Sequence, residues 1–208
     1  VVATGVEPRT PAIPGIDHPK VVSYPDAITG RVAVGARVAV MGAGGIGFDV
    51  TELLAHTDET LEEWKAHWGV ADPAVVRGGV TDKAPRTPRR EVWLLQRKES
   101  AQGKGLGKTS GWVHRAVVKD LGVHQVSGVS YDRVDDAGLH ITVDGAPQVL
   151  DVDHVVVCAG QESVRSLYDD LVSSDFAGRV HLIGGADVAA ELDAKRAIKQ
   201  GTELAAAL

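Results

Sequence analysis

Residues 37–56 read RVAVMGAGGIGFDVTELLAH, and the change of rhythm inside this stretch decides the fold. Arg37 to Met41 make a short apolar run ending on glycines, the pattern of a buried strand. From Ile46 onward the apolar residues Ile46, Val50, Leu53 and Leu54 recur at helical spacing. Between the two, Gly42, Gly44 and Gly47 fit G-x-G-x-x-G where strand passes into helix. In that setting the first glycine permits the tight turn, the second lets the main chain approach a pyrophosphate, and the third allows close packing of helix on strand. The helix start then offers free N–H groups and the positive end of its dipole to the phosphates. The stretch predicts an α/β, Rossmann-like dinucleotide-binding domain, with Gly42, Gly44, Gly45, Ile46 and Gly47 against the nucleotide.

The next segments refine this. Leu61, Trp64 and Trp68 fall at helical spacing, and a Gly-, Pro- and Arg-rich stretch follows to residue 90, so 57–90 reads as an insertion. The following strand, Glu91 to Gln96, runs into Arg97 and Lys98. Folds that bind NAD place an acid at this strand end, about 20 residues past the glycines, for the ribose 2′-hydroxyl. Here no carboxylate comes before Glu99. Arg97 and Lys98 read either as a clamp for a 2′-phosphate, which arginine can grip in bidentate fashion, or as a solvated strand end; the first reading predicts NADPH over NADH. Residues 103–109, GKGLGKT, imitate a phosphate loop, but Gln102 stands where that pattern needs glycine. They read instead as a mobile glycine-rich lid. Residues 123–150 alternate in short runs broken by Gly128, Gly138 and Gly145, as a β-meander does, and 155–157 and 180–183 read as further strands. A long helix is expected from about Asp187.

Composition narrows the class. Of 208 residues 44% are hydrophobic, enough for one core or two small ones, and the net charge of −6 argues against a broad surface for nucleic acid or anionic membrane. The single cysteine, Cys158, excludes an internal disulfide framework and an all-cysteine metal site. With no signal peptide or spanning apolar run in view, a soluble cytoplasmic protein is expected. The chain opens directly on a strand-like run, VVATG, as though a fold were entered partway, so a piece of a longer polypeptide is also expected.

Six runs carry a specific resemblance: GAGGIGFD (42–49), LQRK (95–98), GLGKTSGWVHR (105–115), GVSY (128–131), VCAGQE (157–162) and HLIGGADVAAELDAKRAIKQ (181–200). Together they resemble the C-terminal third of the NADPH-dependent 2,4-dienoyl-CoA reductases, relatives of old yellow enzyme and trimethylamine dehydrogenase. The likeness covers nearly the whole chain and is weakest over 57–87. It implies a three-layer NADP(H)-binding domain with a β-meander at 30–160, nested in part of a second, FAD-type domain whose flanking pieces are 1–29 and 161–208. It adds Ala159, Gly160 and Gln161 to the NADPH contacts. Thr4, Gly5, Gly185 and Asp187 become half of an FAD site, with Asp187 on a ribityl hydroxyl and the next helix pointing its N-terminus at the flavin. In that family NADPH passes hydride to FAD, and electrons then reach FMN through a four-iron, four-sulfur cluster to reduce the dienoyl thioester. FMN and the cluster belong to an N-terminal barrel expected as the missing partner in the full-length protein.

The chain departs from that pattern too. It has no cysteine set for a cluster, no first glycine fingerprint for FAD and no acid or base matched to dienoyl reduction, so the catalytic residues are unassigned and no metal site is expected. The isolated chain is expected to bind NADPH and retain little flavin. Cys158 reads as an adventitious thiol with no resolving partner, and His114 either approaches the nicotinamide or serves structure. A different class of function stays open: a non-catalytic module that holds ADP or another nucleotide, as the equivalent domain of amine dehydrogenases can.

Overall fold

The computed structural model of the chain describes residues 1–190 and 192–208, so Glu191, inside the last resemblance run, lies outside the described residues. In chain order the strands are β1 (Val6–Pro8), β2 (Val21–Ser23), β3 (Arg37–Met41), β4 (Glu91–Leu95), β5 (His124–Val126), β6 (Ser130–Asp135), β7 (Gly138–Val143), β8 (Ala146–Leu150), β9 (His154–Val157) and β10 (Gln161–Ser163). The helices are α1 (Tyr24–Thr29), α2 (Gly45–Ala55), α3 (Leu61–Trp68), α4 (Gly111–Asp120), α5 (Ser166–Val172) and α6 (Ala194–Ala207). They form two compact units, Pro11–Cys158 and the paired segments Val1–Thr10 and Ala159–Leu208.

The larger unit is built on a five-stranded parallel sheet in the order β2-β9-β3-β4-β5. Alternate residues point to opposite faces. Val38, Val40, Val92, Leu94 and Val156 pack with Phe48, Val50 and Leu54 of α2 and Val118 of α4 in one buried cluster. Ala39, Met41, Leu95 and Val155 are buried as well, and so are Val134, Leu139 and Ile141 of the antiparallel sheet β6-β7-β8. Helices α2 and α4 thus cover the face of the parallel sheet that carries Val38, Val40, Val92, Leu94 and Val156. β3 lies at the centre, with β4 on one side and β9 on the other, so the crossover reverses direction at its C-terminal end, where ligands settle in open α/β sheets.

Several elements differ from the sequence reading. β5 joins the parallel sheet instead of the meander. Residues 11–29, read as part of the FAD-type flanking piece, contribute β2 and α1 to the larger unit; Ser23 caps α1 by accepting from Asp26 N–H. In 57–90 a capping box between Thr60 and Glu63 starts α3, and Glu59 holds His67 at 2.6 Å and Arg86 at 2.7 Å.

The smaller unit holds the antiparallel pair β1–β10 and a single parallel bridge from Val2 to Leu182, where the sequence suggested full strands at 1–5 and 180–183. Its last helix begins at Ala194, capped by Asp193, not near Asp187. Gly184–Ala186 form a 3₁₀ turn that ends the regular geometry there.

Candidate functional site: an open glycine turn and a basic strand end

The turn after β3 gives each glycine a separable task. Gly42 donates its N–H to Leu95 O at 2.9 Å, which ties the turn to the end of β4, and its φ of 116° lies where only glycine is unstrained. Gly47 is forced by packing: a Cβ there would stand 1.8 Å from Gly42 O. Gly44 and Gly45 are not needed by the fold at all. Gly44 is extended (φ −84°, ψ −171°), and a Cβ on either residue would meet nothing within 4 Å. Because Gly44 caps α2 without a side-chain acceptor, the first-turn N–H groups of Gly45, Ile46 and Gly47 lack the partner a capping side chain supplies elsewhere. Ile46 meanwhile anchors the helix by packing on the core. Bare main chain, open space and unpaired N–H groups at a helix start are what a diphosphate requires, so this turn fits a dinucleotide.

The hydrogen bond from Gly42 to Leu95 places the end of β4 beside this turn. Arg97 and Lys98 follow at once, both exposed. Among the described residues neither has a salt bridge or side-chain hydrogen bond, whereas Arg31, Arg37, Arg86 and Arg133 all pair with acids. The loop is stitched down by main-chain bonds from Gly128 N–H to Lys98 O (3.1 Å) and from Val129 N–H to Gln96 O (3.0 Å).

The neighbouring glycine-rich stretch differs from a free lid. The buried Gln102 donates from Nε2 to Leu94 O (2.8 Å) and Val126 O (2.9 Å) at the ends of β4 and β5. Arg115 donates to Gly103 O at 3.0 Å, and a Cβ on Gly103 would press on Phe48 at 2.9 Å. Past Gly103 the stretch is largely exposed, Lys104 and Lys108 included.

Four titratable groups complete the unit. His114 on α4 meets Glu52 on α2 at 2.8 Å, and burial pushes the Glu52 carboxyl up, opposed by the imidazole contact; this pair joins two helices. Cys158, at the end of β9, has its thiol pushed up to about 12 by burial, so it stays neutral and inert. The Tyr131 hydroxyl is buried without a partner, and burial raises its pKa against the pull of Arg97. Sequence reading missed this orphan.

The flavin-type residues lie in the smaller unit. Gly5 and Gly185 touch, since a Cβ on Gly185 would sit 2.8 Å from Val6 Cγ1 and 3.3 Å from Gly5 C. Thr4 donates from Oγ1 to Val164 O at 2.6 Å. Asp187 accepts from Gln200 Nε2 at 2.8 Å, and Gln200 Oε1 accepts from Gly184 N–H at 2.7 Å; nothing in the sequence pattern singles this glutamine out. Asp187 and Gln200 help line a groove of about 480 Å³ that Thr4, Gly5 and Gly185 do not reach. Ala159, Gly160 and Gln161 also belong to this unit, where Arg9 Nε donates to Ala159 O at 2.9 Å and Gly160 has φ 109°. Among the described residues no cluster of three or more His, Cys, Asp or Glu could hold a metal, and no helix is long and apolar enough to cross a membrane.

Comparison with known proteins fits this picture. Residues 1–190 match the family model described as pyridine nucleotide-disulphide oxidoreductase. A metal reductase of Desulforamulus reducens is 27% identical over 178 residues, covering 82% of this chain and 25% of that protein. The structure of a 2-naphthoyl-CoA reductase in complex with 2-naphthoyl-CoA superposes with a TM-score of 0.71 at 22% identity, over 97% of this chain and 26% of the other. A 6-hydroxypseudooxynicotine amine oxidase from Pseudomonas geniculata N1 also gives 0.71, at 20% identity, over 97% and 27%. These likenesses concern the fold. The chain spans about a quarter of the length of each of these proteins.

Proposed function

The chain belongs to the pyridine nucleotide-disulphide oxidoreductase family, and from that membership we propose that it is the nicotinamide-nucleotide end of a flavin-dependent oxidoreductase, with NADPH as donor and FAD as acceptor. One observation carries the reading: an open turn that the fold does not require at Gly44 and Gly45 stands beside two unpaired cations, Arg97 and Lys98. When bound, NADPH supplies a hydride and FAD takes it up. The N–H groups at the start of α2 would hold the diphosphate, and Arg97 with Lys98 the 2′-phosphate. In the smaller unit Thr4, Gly5, Gly185 and Asp187 would hold part of FAD, and the resemblance adds Ala159, Gly160 and Gln161 as nucleotide contacts. Cys158 adds no redox chemistry, because a neutral thiol is a poor nucleophile.

The finer assignment is reduction of a 2,4-dienoyl-CoA thioester in fatty acid β-oxidation, in the cytoplasm, with FMN and a four-iron, four-sulfur cluster in an N-terminal barrel of the same polypeptide. The six sequence runs support it, and the fold shared with a reductase crystallised with an aromatic acyl-CoA is in keeping with it. The resemblance to amine dehydrogenases leaves a second reading, a module that holds ADP without turnover. The two differ at the strand end, since an ADP holder has no use for a 2′-phosphate clamp. Titrating NADPH and NADH against the wild type and Arg97→Ala separates them. A wild-type preference for NADPH that the substitution abolishes supports the reductase; equal affinities left unchanged refute it.

A further inference from the structure

Gln96 occupies the position directly after β4, where folds that take an unphosphorylated ribose carry an acid. Its side chain does not reach outward. Nε2 turns back on its own loop and donates to Lys98 O at 2.9 Å, to Ser100 O in a short contact, and toward Ser127 Oγ at 3.3 Å. Two of these partners are carbonyl oxygens, which only accept, so the group facing them must be the amide nitrogen and no carboxylate could replace it. Ser127 Oγ adds a bond to the same Ser100 O at 3.4 Å, and the main-chain bonds of Gln96 N–H to Val126 O and Gly128 N–H to Lys98 O hold the other side. One side chain thus gathers both ends of the turn that carries Arg97 and Lys98.

We propose that Gln96 is a positioning residue that sets selectivity for a 2′-phosphorylated dinucleotide, by fixing the loop on which Arg97 and Lys98 stand and by withholding an acid from the ribose. The inference rests on the NADPH reading above and deepens it. An arginine on a fixed loop loses less freedom when it meets an anion, so its advantage for the extra phosphate depends on the loop holding its shape. Gln96→Glu would set a carboxylate against two carbonyl oxygens, open the turn and offer the ribose a hydroxyl acceptor. Gln96→Ala removes the donors without adding charge.

The test uses the whole chain and two fragments of the cofactor that differ only by the 2′-phosphate, 2′,5′-ADP and 5′-AMP, titrated by calorimetry against wild type and both variants. The wild type should prefer 2′,5′-ADP. Gln96→Ala should lower that preference several-fold with 5′-AMP affinity held within about twofold, and Gln96→Glu should erase or invert it. If the wild type prefers 2′,5′-ADP and both variants keep the same ratio, the inference fails and the NADPH reading stands. An equal fall for both fragments marks a merely structural role and overturns the inference as well. A wild type with no preference removes the NADPH reading and this inference together.

Discussion

Two glycines of the fingerprint, Gly44 and Gly47, should respond to alanine in opposite ways. At Gly47 the added Cβ would lie 1.8 Å from Gly42 O and 2.8 Å from Gly42 C, both main-chain atoms, so helix α2 must move off the turn by more than an ångström. Overpacking of that kind costs roughly 3 kcal/mol or more. For a chain of this size that is a melting-temperature loss of about 6–12 °C. At Gly44 nothing lies within 4 Å, and the extended backbone suits alanine. Replacing the cap glycine with alanine costs about 0.5–1 kcal/mol, and the stiffer unfolded chain returns about as much, so the net change should stay within about 0.5 kcal/mol. The same Cβ would, however, occupy the space through which a diphosphate reaches the N–H groups. Scanning fluorimetry paired with NADPH titration reads both effects. Gly44→Ala should melt like the wild type and bind at least about tenfold more weakly, while Gly47→Ala should melt early. A Gly44→Ala protein that binds as tightly as wild type would refute the assignment of this turn to the diphosphate.

Other consequences are independent of it. The Asp135 carboxyl is held down to about 2 by His140, with help from Arg133 and the Ala137 N–H. A carboxyl held down in the folded state stabilises the fold above its ordinary value near 3.8 and ceases to as pH falls toward 2. Asp135→Asn should therefore lower the melting temperature at pH 7 by a margin that closes below pH 4; a constant margin down to pH 2.5 contradicts the pairing. Cys158, with its thiol near 12, carries roughly a thousandfold less thiolate than an exposed cysteine, so Ellman's reagent should label it only after unfolding. Rapid labelling of the native chain would sink that account. Tyr131→Phe removes a buried hydroxyl with no partner and should raise the melting temperature by about 2 °C or more, whereas a fall would reveal a bond that the structure does not contain.

The strand, glycine turn and helix of residues 37–55 were legible because two signals coincide there, the switch from apolar run to helical spacing and the glycines at the switch. α3 was legible from Leu61, Trp64 and Trp68. β5 was not, because His124, Gln125 and Val126 earn their place by pairing with β4, some thirty residues earlier, and carry little apolar pattern of their own. α1 carries short-range signals of its own, Ser23 as cap, Pro25 in the first turn and Gly30 closing it, but at six residues it is too short to show helical periodicity. The late start of α6 follows from Asp193, whose side chain accepts from Arg196 N–H and nucleates the helix there. At the site, main-chain roles follow from the glycine spacing, which is local. Gln102 and Gln200 act through carbonyls and side chains that only the folded chain brings near, so no spacing rule points to them.

The most direct measurement is a crystal structure of the chain with NADP⁺ bound. It should show the diphosphate on the N–H groups of residues 45–47 and the 2′-phosphate within ion-pair distance of Arg97 or Lys98. A dinucleotide bound with its diphosphate away from that turn, or with its adenosine ribose remote from both cations, would contradict the account.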